Sequence, residues 1–181
     1  MAESPSPKSS ALRILTIIAV TILGIPSLIG LLAYHRLHYR LPITDGEVSL
    51  PGLSERVLVA RDAGGIPTVS GTNREDVSRA LGFLHAQERF FQMDLMRRQA
   101  AGELSELFGE NAVDADRHYR LHRFRTRARE ILSHIPETER RLLDAYTVGV
   151  NAGLAALDQA PLEYLLLLTT PEPWTQEDSI L

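Results

Sequence analysis

Twenty-one consecutive residues, Ile14 to Tyr34, carry no charge, with Lys8 and Arg13 ahead of them and Arg36 and Arg40 behind. No water-facing surface tolerates such a run, and nothing amphipathic marks one side of it for burial in a core. As a helix it would be about 31 Å long, one bilayer core. The run ends Leu31-Leu32-Ala33-Tyr34, without the small-x-small pattern of a signal-peptidase site, so a signal anchor is expected rather than a cleaved signal. Pro26 is expected to kink it. The flanking basic residues are balanced, and charge alone leaves the orientation open. The organisation expected is a cytoplasmic tail over residues 1–13, a transmembrane anchor over 14–34, a juxtamembrane linker over 35–54 and a domain over 55–181.

Four of the 19 basic and one of the 23 acidic side chains fall in residues 1–40. Residues 41–181 therefore hold 15 Arg, no Lys and 22 carboxylates, a net charge of −7. That sign argues against nucleic acid as a general partner. An all-Arg basic set favours fixed, planar ion pairs over loosely solvated charges. The absence of Cys excludes disulfides, thiolate metal sites and a thiol nucleophile.

Pro42, Asp45-Gly46 and Pro51-Gly52 read as turns. Arg56–Arg61 alternates polar and apolar and reads as a strand; Ile66–Val69 is a second extended piece across an Asp62–Gly65 turn, together a hairpin. Thr72 or Asn73 can cap a long helix with Glu75 and Asp76 in its first turn. An apolar stripe of Val77, Leu81, Leu84, Phe91 and Leu95 is expected along it, with Ala80, Phe83, Phe90 and Met93 on other faces. Gly102 and Gly109 punctuate the next stretch. Asp114 or Asp116 can cap a third helix running to about His134, and Pro136 opens a fourth. On that fourth helix Leu142/Leu143, Tyr146, Gly149/Val150, Gly153 and Leu157 form one stripe, in which Gly149 and Gly153 predict close backbone packing. Thr175–Asp178 looks like a cap opening one further helix, just before Leu181, so the chain is expected to continue. The fold class expected is α+β, mostly helical with one short β-hairpin.

Several residues carry possible chemistry. His85 lies beside Gln87, Glu88 and Arg89, and a hydrogen-bonded structural role is favoured because no nucleophile partners it. Arg61 and Asp62 are expected to form an ion pair at a strand end. Asp94 and Arg98 stand at i, i+4, which predicts a helix-locking network with Arg97 and Glu88. His118 and His122 share that spacing without the Glu of a His-Glu-x-x-His motif, so a metal site is not favoured. Arg117, Arg120, Arg123, Arg125, Arg127 and Arg129 form a basic run, with 120, 123 and 127 on one helical face. Pairing with nearby carboxylates or contact with anionic lipid is expected there. The Ser residues lack a Gly-x-Ser-x-Gly setting.

Four ordered stretches carry a resemblance. They are Val57-x-Val59-x-Arg61-Asp62-x-x-Gly65-Ile66-Pro67; Ala80-Leu-Gly82-Phe83-x-His85-Ala86-Gln87-Glu88-Arg89-Phe90-x-Gln92-Met93; Arg97-Arg98-x-x-x-Gly102-x-Leu104-x-Glu106-Leu107-x-Gly109; and Pro171-x-Pro173-Trp174-x-x-x-Asp178. Together they resemble the N-terminal region of the penicillin acylase family over about residues 50–181. The linker from Leu41-Pro42 to Pro51-Gly52-Leu53 is similar to its membrane-anchored branch. Two positions depart from the pattern: Glu88 stands where many members have Asp, and Thr68 where many have His. Glu88 keeps the carboxylate one methylene longer, so an ion pair with Arg98 or Arg89 is expected to survive.

The resemblance implies an α-chain region within a larger N-terminal-nucleophile αββα fold. It implies a precursor that cleaves itself to expose a Ser, whose own α-amine, with a pKa near about 8, serves as base. The nucleophile is expected downstream of residue 181, on the β-chain of the same precursor, and no catalytic, substrate-binding or metal residue is assigned here. No cofactor is expected in this chain, and calcium is possible in the full-length family member. Substrates would be amides of hydrophobic acyl groups, such as β-lactams or acyl-homoserine lactones, with Tyr164–Leu168 as core or as a wall of the acyl pocket. The location expected is the cytoplasmic membrane, single-pass, with the catalytic part periplasmic or extracellular. The competing reading is a membrane-anchored, non-catalytic helical binding module.

Overall fold

The computed structural model describes residues 20–38, 42–157 and 159–181, and the chain divides into two units at residues 39 and 40. In the first unit a π turn, Val20–Gly24, leads into helix α1, Ile25–His38. Ile22, Leu23, Leu28, Ile29, Leu31 and Leu32 are all more than half exposed. Pro26 is the second residue of α1, which follows directly on the π turn Val20–Gly24, so the helical winding changes next to the position of its missing N–H. Among the described residues no helix is long and apolar enough to cross a membrane. The 14 residues of α1 span only about 21 Å. The transmembrane helix expected over 14–34 is thus not found as such; its residues 14–19 and the tail 1–13 lie outside the described residues.

The second unit starts from the hairpin. Strands β1, Leu58–Arg61, and β2, Pro67–Ser70, pair antiparallel with Val59 opposite Val69 and Arg61 opposite Pro67. Asp62 shapes the turn: its Oδ1 accepts the Gly64 and Ile66 amides, both at 2.9 Å, and Gly65 sits at φ +78°. Asp62 therefore forms no ion pair with Arg61, because backbone donors occupy its carboxylate.

Helix α2, Arg74–Ala101, is the spine. Asn73 caps it by accepting the Asp76 amide at 2.8 Å. Asp76 in turn accepts Ser54 N, Ser54 Oγ, Glu55 N and Asn73 Nδ2, which ties the linker to the helix start. Gly102, at φ +71°, closes the other end in the left-handed conformation. The buried face differs from the apolar stripe expected. It runs Asp76, Ala80, Gly82, Phe83, Leu84, Ala86, Gln87, Phe90, Asp94, Arg97 and Arg98, so Leu84 of the expected stripe is buried while Val77, Leu81, Phe91 and Leu95 are only half-buried. Five of these eleven residues are polar or charged, so reading hydrophobicity alone finds only part of the buried face. Arg89, at φ −141° and ψ 16°, breaks the helix in its middle.

After α2 come α3, Ser105–Phe108; a 3-10 turn, Gly109–Ala112; α4, Val113–Arg120; and α5, Phe124–His134. The single helix expected from Asp114 to His134 is two, broken at Leu121–Arg123. Asp116 caps neither of them. It reaches back to accept the Leu104 and Ser105 amides at 2.8 and 2.7 Å, at the start of α3. Helix α6, Glu137–Ala155, opens after Pro136 as expected. It is followed by α7, Leu162–Leu166, and by a 3-10 turn, Glu177–Ser179, where Thr175–Asp178 is expected to cap the start of a further helix.

Helices α2 and α6 cross at backbone contact. A Cβ on Gly149 would lie 2.0 Å from the Arg79 carbonyl oxygen; on Gly153, 2.3 Å from that of Phe83; on Gly82, 2.3 Å from that of Tyr146. Glycine from both helices lets the axes approach, as the Gly149/Gly153 spacing predicts. Ala86, Phe90, Val150, Tyr164 and Trp174 pack around this crossing as the core. Gly149→Ala should therefore force the helices apart and lower stability by about 1–3 kcal/mol. The check is the urea midpoint of the full chain, and an unchanged midpoint would contradict backbone contact at that position.

Candidate functional site

The chemistry-bearing residues converge where the second half of α2 meets the segment 172–179. The Asp94 carboxylate is fully buried and accepts Arg97 Nε at 2.7 Å, Arg98 Nε at 3.0 Å and the Tyr164 hydroxyl at 2.6 Å. Its i+3 and i+4 spacing to the two arginines places all three on one helical face. Arg97 then turns three of its four remaining N–H donors to the C-terminal turn. Nη1 donates to Asp178 Oδ2 at 2.8 Å and the Pro173 carbonyl at 3.0 Å, and Nη2 to the Glu172 carbonyl at 3.1 Å. Its guanidinium lies 5.0 Å from the Trp174 ring centroid. Arg98 pairs with Glu106 and with Glu172.

From Asp178 the network continues outward to Arg125, which forks onto both oxygens of Glu103 at 2.9 and 2.6 Å. Thr175 and Asp178 form a reciprocal cap: Thr175 N and Oγ donate to Asp178 Oδ2, each at 2.7 Å, and Asp178 N donates to Thr175 Oγ at 3.4 Å. Asn151 of α6 holds Trp174 by its backbone, donating to its carbonyl and accepting its amide, both at 2.8 Å. The indole N–H donates to Ser179 Oγ at 2.8 Å. The turn carrying Pro171, Pro173 and Trp174 is thus fastened to α2, α5 and α6 together.

Titration follows this geometry. Burial raises the Tyr164 phenol far above its usual value, and its hydrogen bond to Asp94 raises it further. Burial alone would raise Asp178, but Thr175 and Arg97 outweigh it and leave the group lowered. In Asp116 burial likewise opposes, and the Ser105 and Leu104 donors and Arg120 win. For Asp76 the Ser54 hydroxyl is the largest cause of a deep depression, against the opposing effect of burial.

The hairpin end forms a second, smaller cluster. Arg61 pairs with Glu88 at 2.5 Å and donates to the Gly65 carbonyl at 3.0 Å. Glu88 thus finds Arg61 across the fold rather than Arg89 or Arg98. His85 Nδ1 lies 2.9 Å from the Tyr146 hydroxyl, with the rings edge to face at 5.8 Å. Burial lowers the His85 imidazole, and the Glu88 charge opposes that only in part. Gln87 accepts the Ile43 amide at 3.3 Å.

The residues singled out by sequence therefore fall into groups. Arg98, Glu106 and Trp174 meet at the network; Arg61, Gly65, Glu88 and Pro67 meet at the hairpin; Gly82, His85 and Gln87 line the α2 face. Arg89 and Gln92 are exposed and join neither cluster, Asp62 and Gly65 shape the turn, and Gly102 and Gly109, at φ +71° and +63°, end α2 and α3. Asn151 and Tyr164 were missed. Asn151 lies beside the Leu142–Leu157 stripe rather than in it, and nothing local marks it as a partner of Trp174 or Tyr164 as a partner of Asp94. Of the Tyr164–Leu168 run, only Tyr164 is core, and Leu168 is 91% exposed.

These residues do not fit calcium. Among the described residues no three His, Cys, Asp or Glu converge, and amide, hydroxyl or guanidinium donors occupy Asp76, Asp94, Asp116 and Asp178. The His118 and His122 rings stand edge to face, 5.7 Å apart. Ser133 Oγ, 2.9 Å from His134 Nδ1, donates to the Glu130 carbonyl at 2.7 Å near the end of α5, and the buried network positions the 172–179 turn.

The penicillin amidase family model matches residues 56–181. The chain belongs to the penicillin amidase family. It is 43% identical over 140 residues to the penicillin acylase 2 proenzyme of Pseudomonas sp. (strain SE83), covering 77% of this chain and 18% of that protein. It is 34% identical over 165 residues to the acyl-homoserine lactone acylase QuiP of Pseudomonas fluorescens (strain Pf0-1), covering 91% and 20%. The chain thus spans about a fifth of the length of these relatives. Among solved structures it is similar to a thermostable penicillin G acylase from Alcaligenes faecalis, with TM-score 0.62 and 28% identity over 69% of this chain and 68% of that one. The mostly helical fold with its two-stranded sheet matches that family fold.

Removing Arg97 takes a shared charged partner from two buried carboxylates, Asp94 and Asp178, and leaves the Glu172 and Pro173 carbonyls without their donor. Arg97→Met is expected to cost about 3–5 kcal/mol, read from denaturant midpoints, and a cost below about 1 kcal/mol would contradict the buried network. Acid should act in the same direction. Asp76, Asp116 and Asp178 are depressed in the folded chain, so their stabilisation is fully present above the unfolded carboxylate pKa of about 3.9. It is lost as pH falls from there through the depressed folded values. Urea melts from pH 6 to pH 2 should show falling midpoints below about pH 4; a flat profile would contradict the assignment.

Proposed function

We propose that this chain is the N-terminal, α-chain portion of an acylase precursor that hydrolyses amides of hydrophobic acyl groups, with its nucleophilic Ser on polypeptide beyond residue 181. The observation that carries this reading is the family match over residues 56–181, joined to the fold-level similarity to a penicillin G acylase. The relatives' names supply two substrate classes, penicillins and acyl-homoserine lactones. The word proenzyme supports a precursor with a downstream chain as the partner. In this reading residues 55–181 are scaffold. Their saturated carboxylates and arginines hold the 172–179 turn, and the downstream chain supplies nucleophile, base and oxyanion donors.

A tether to the cytoplasmic membrane through residues 14–34 belongs to the same proposal. It is supported by the charge-free run and by the all-round exposure of apolar side chains on the described part of it. One expression experiment examines both parts. The 181-residue chain should stay with the membrane fraction through a carbonate wash and, after detergent extraction, release no phenylacetate or fatty acid from model amides. The precursor extended past residue 181 should release them. Hydrolysis by the 181-residue chain would overturn the assignment of the nucleophile, and extraction by carbonate would overturn the tether.

A further inference from the structure

The corner between α4 and α5 breaks three local rules at once. Arg123 lies in the left-handed region at φ 54°, where a side chain with a Cβ is strained. It occupies the N-cap of α5 without a side-chain capping bond, and the first turn of α5 contains no acidic residue. Arg125 and Arg127 stand in that turn instead, where the helix dipole disfavours cations. The Arg125 charge is offset by Glu103 and Asp178, whereas the strain at Arg123 and the charge at Arg127 have no such offset among the described residues, and local penalties of this kind point to function.

The corner is also rigid and strongly basic. From Arg117 to Arg127 there are five Arg and two His and no carboxylate. Arg125 turns inward to Glu103 and Asp178, and Arg120 reaches the Gly102 carbonyl. Arg117, His118, Arg120, His122, Arg123 and Arg127 are exposed. Asp114 pairs with Arg117 at 3.1 Å, and among the described residues neither Arg123 nor Arg127 has a carboxylate within salt-bridge distance. Three successive tight turns, Leu121 N to His118 O, His122 N to Tyr119 O and Arg123 N to Arg120 O, shape the tip. Tyr119 accepts from Gln99 at 2.6 Å and Arg120 donates to the Gly102 carbonyl at 2.7 Å, which pins the tip to the end of α2. His122 stacks on Phe124 at 5.2 Å. At the apex Leu121 is 78% exposed.

We infer that the α4–α5 corner is a docking surface for an anionic lipid bilayer, with Leu121 entering the interface and Arg117, Arg123 and Arg127 meeting lipid phosphates. Charge complementarity and an exposed leucine among exposed basic residues select a membrane over nucleic acid, which has no use for an exposed leucine at its phosphates. The unit around the corner is acidic overall, so the attraction is local and confined to this tip.

The test is flotation of the full 181-residue chain with vesicles of phosphatidylcholine, with or without phosphatidylglycerol. The N-terminal segment contributes in both, and the gain on adding phosphatidylglycerol is the readout. Arg123→Ala/Arg127→Ala should weaken that gain by about 25-fold, about five-fold per arginine. Leu121→Asp should weaken binding further, and 0.5 M salt should abolish the gain. The double variant Arg56→Ala/Arg74→Ala, which removes the same charge elsewhere, should leave it unchanged. Equal loss in both double variants would overturn the inference, as would undiminished gain in the first. A duplex oligonucleotide that competes fully with the vesicles at equal phosphate concentration would overturn it in favour of a nucleic-acid surface.

Discussion

A carboxylate with no access to water, Asp94, cannot persist unless donors surround it, and the second unit is arranged to supply them. Arg97 and Arg98 arrive from the next helical turn and Tyr164 from α7. Each arginine then brings its own demand for acceptors, which Asp178, Glu106, Glu172 and the carbonyls of 172–173 meet. One buried charge therefore recruits three distant stretches of chain. Such a cluster adds little net stability over an apolar core of the same volume. Its effect here is on geometry, since only one placement of the Pro171–Asp178 turn satisfies every partner.

The close crossing of α2 and α6 makes that placement possible. With glycine at 82, 149 and 153 the two backbones touch, which brings Asn151 within reach of the Trp174 backbone and Tyr146 within reach of His85. The crossing is steric and the network is electrostatic, yet both act on one turn.

Features governed by neighbouring residues were legible in the sequence. The hairpin followed from alternation and from the Asp62–Gly65 turn, the start of α2 from Asn73, and the packing role of Gly149 and Gly153 from their place in an apolar stripe. The i, i+4 pairing of Asp94 with Arg98 was legible for the same reason. Features governed by distant partners were not. The buried face of α2 is nearly half polar, so a stripe chosen by hydrophobicity caught Leu84 but also selected the half-buried Val77, Leu81 and Leu95. Glu88 was matched with Arg89 or Arg98 because Arg61 is 27 residues away. Asp116 read as a cap for its own helix, whereas it caps α3, and the left-handed Arg123 divided a helix that helical periodicity alone would continue.

The central claim is that the turn through Trp174 is an integral part of the helical core and not a loose tail beside it. Native-state hydrogen exchange of the full chain tests this directly. The amides of Trp174 and Thr175, which donate to Asn151 and Asp178, should be protected to the same extent as the Val150 amide inside α6. Exchange of those two amides at the rate of a free peptide, with Val150 still protected, would contradict it.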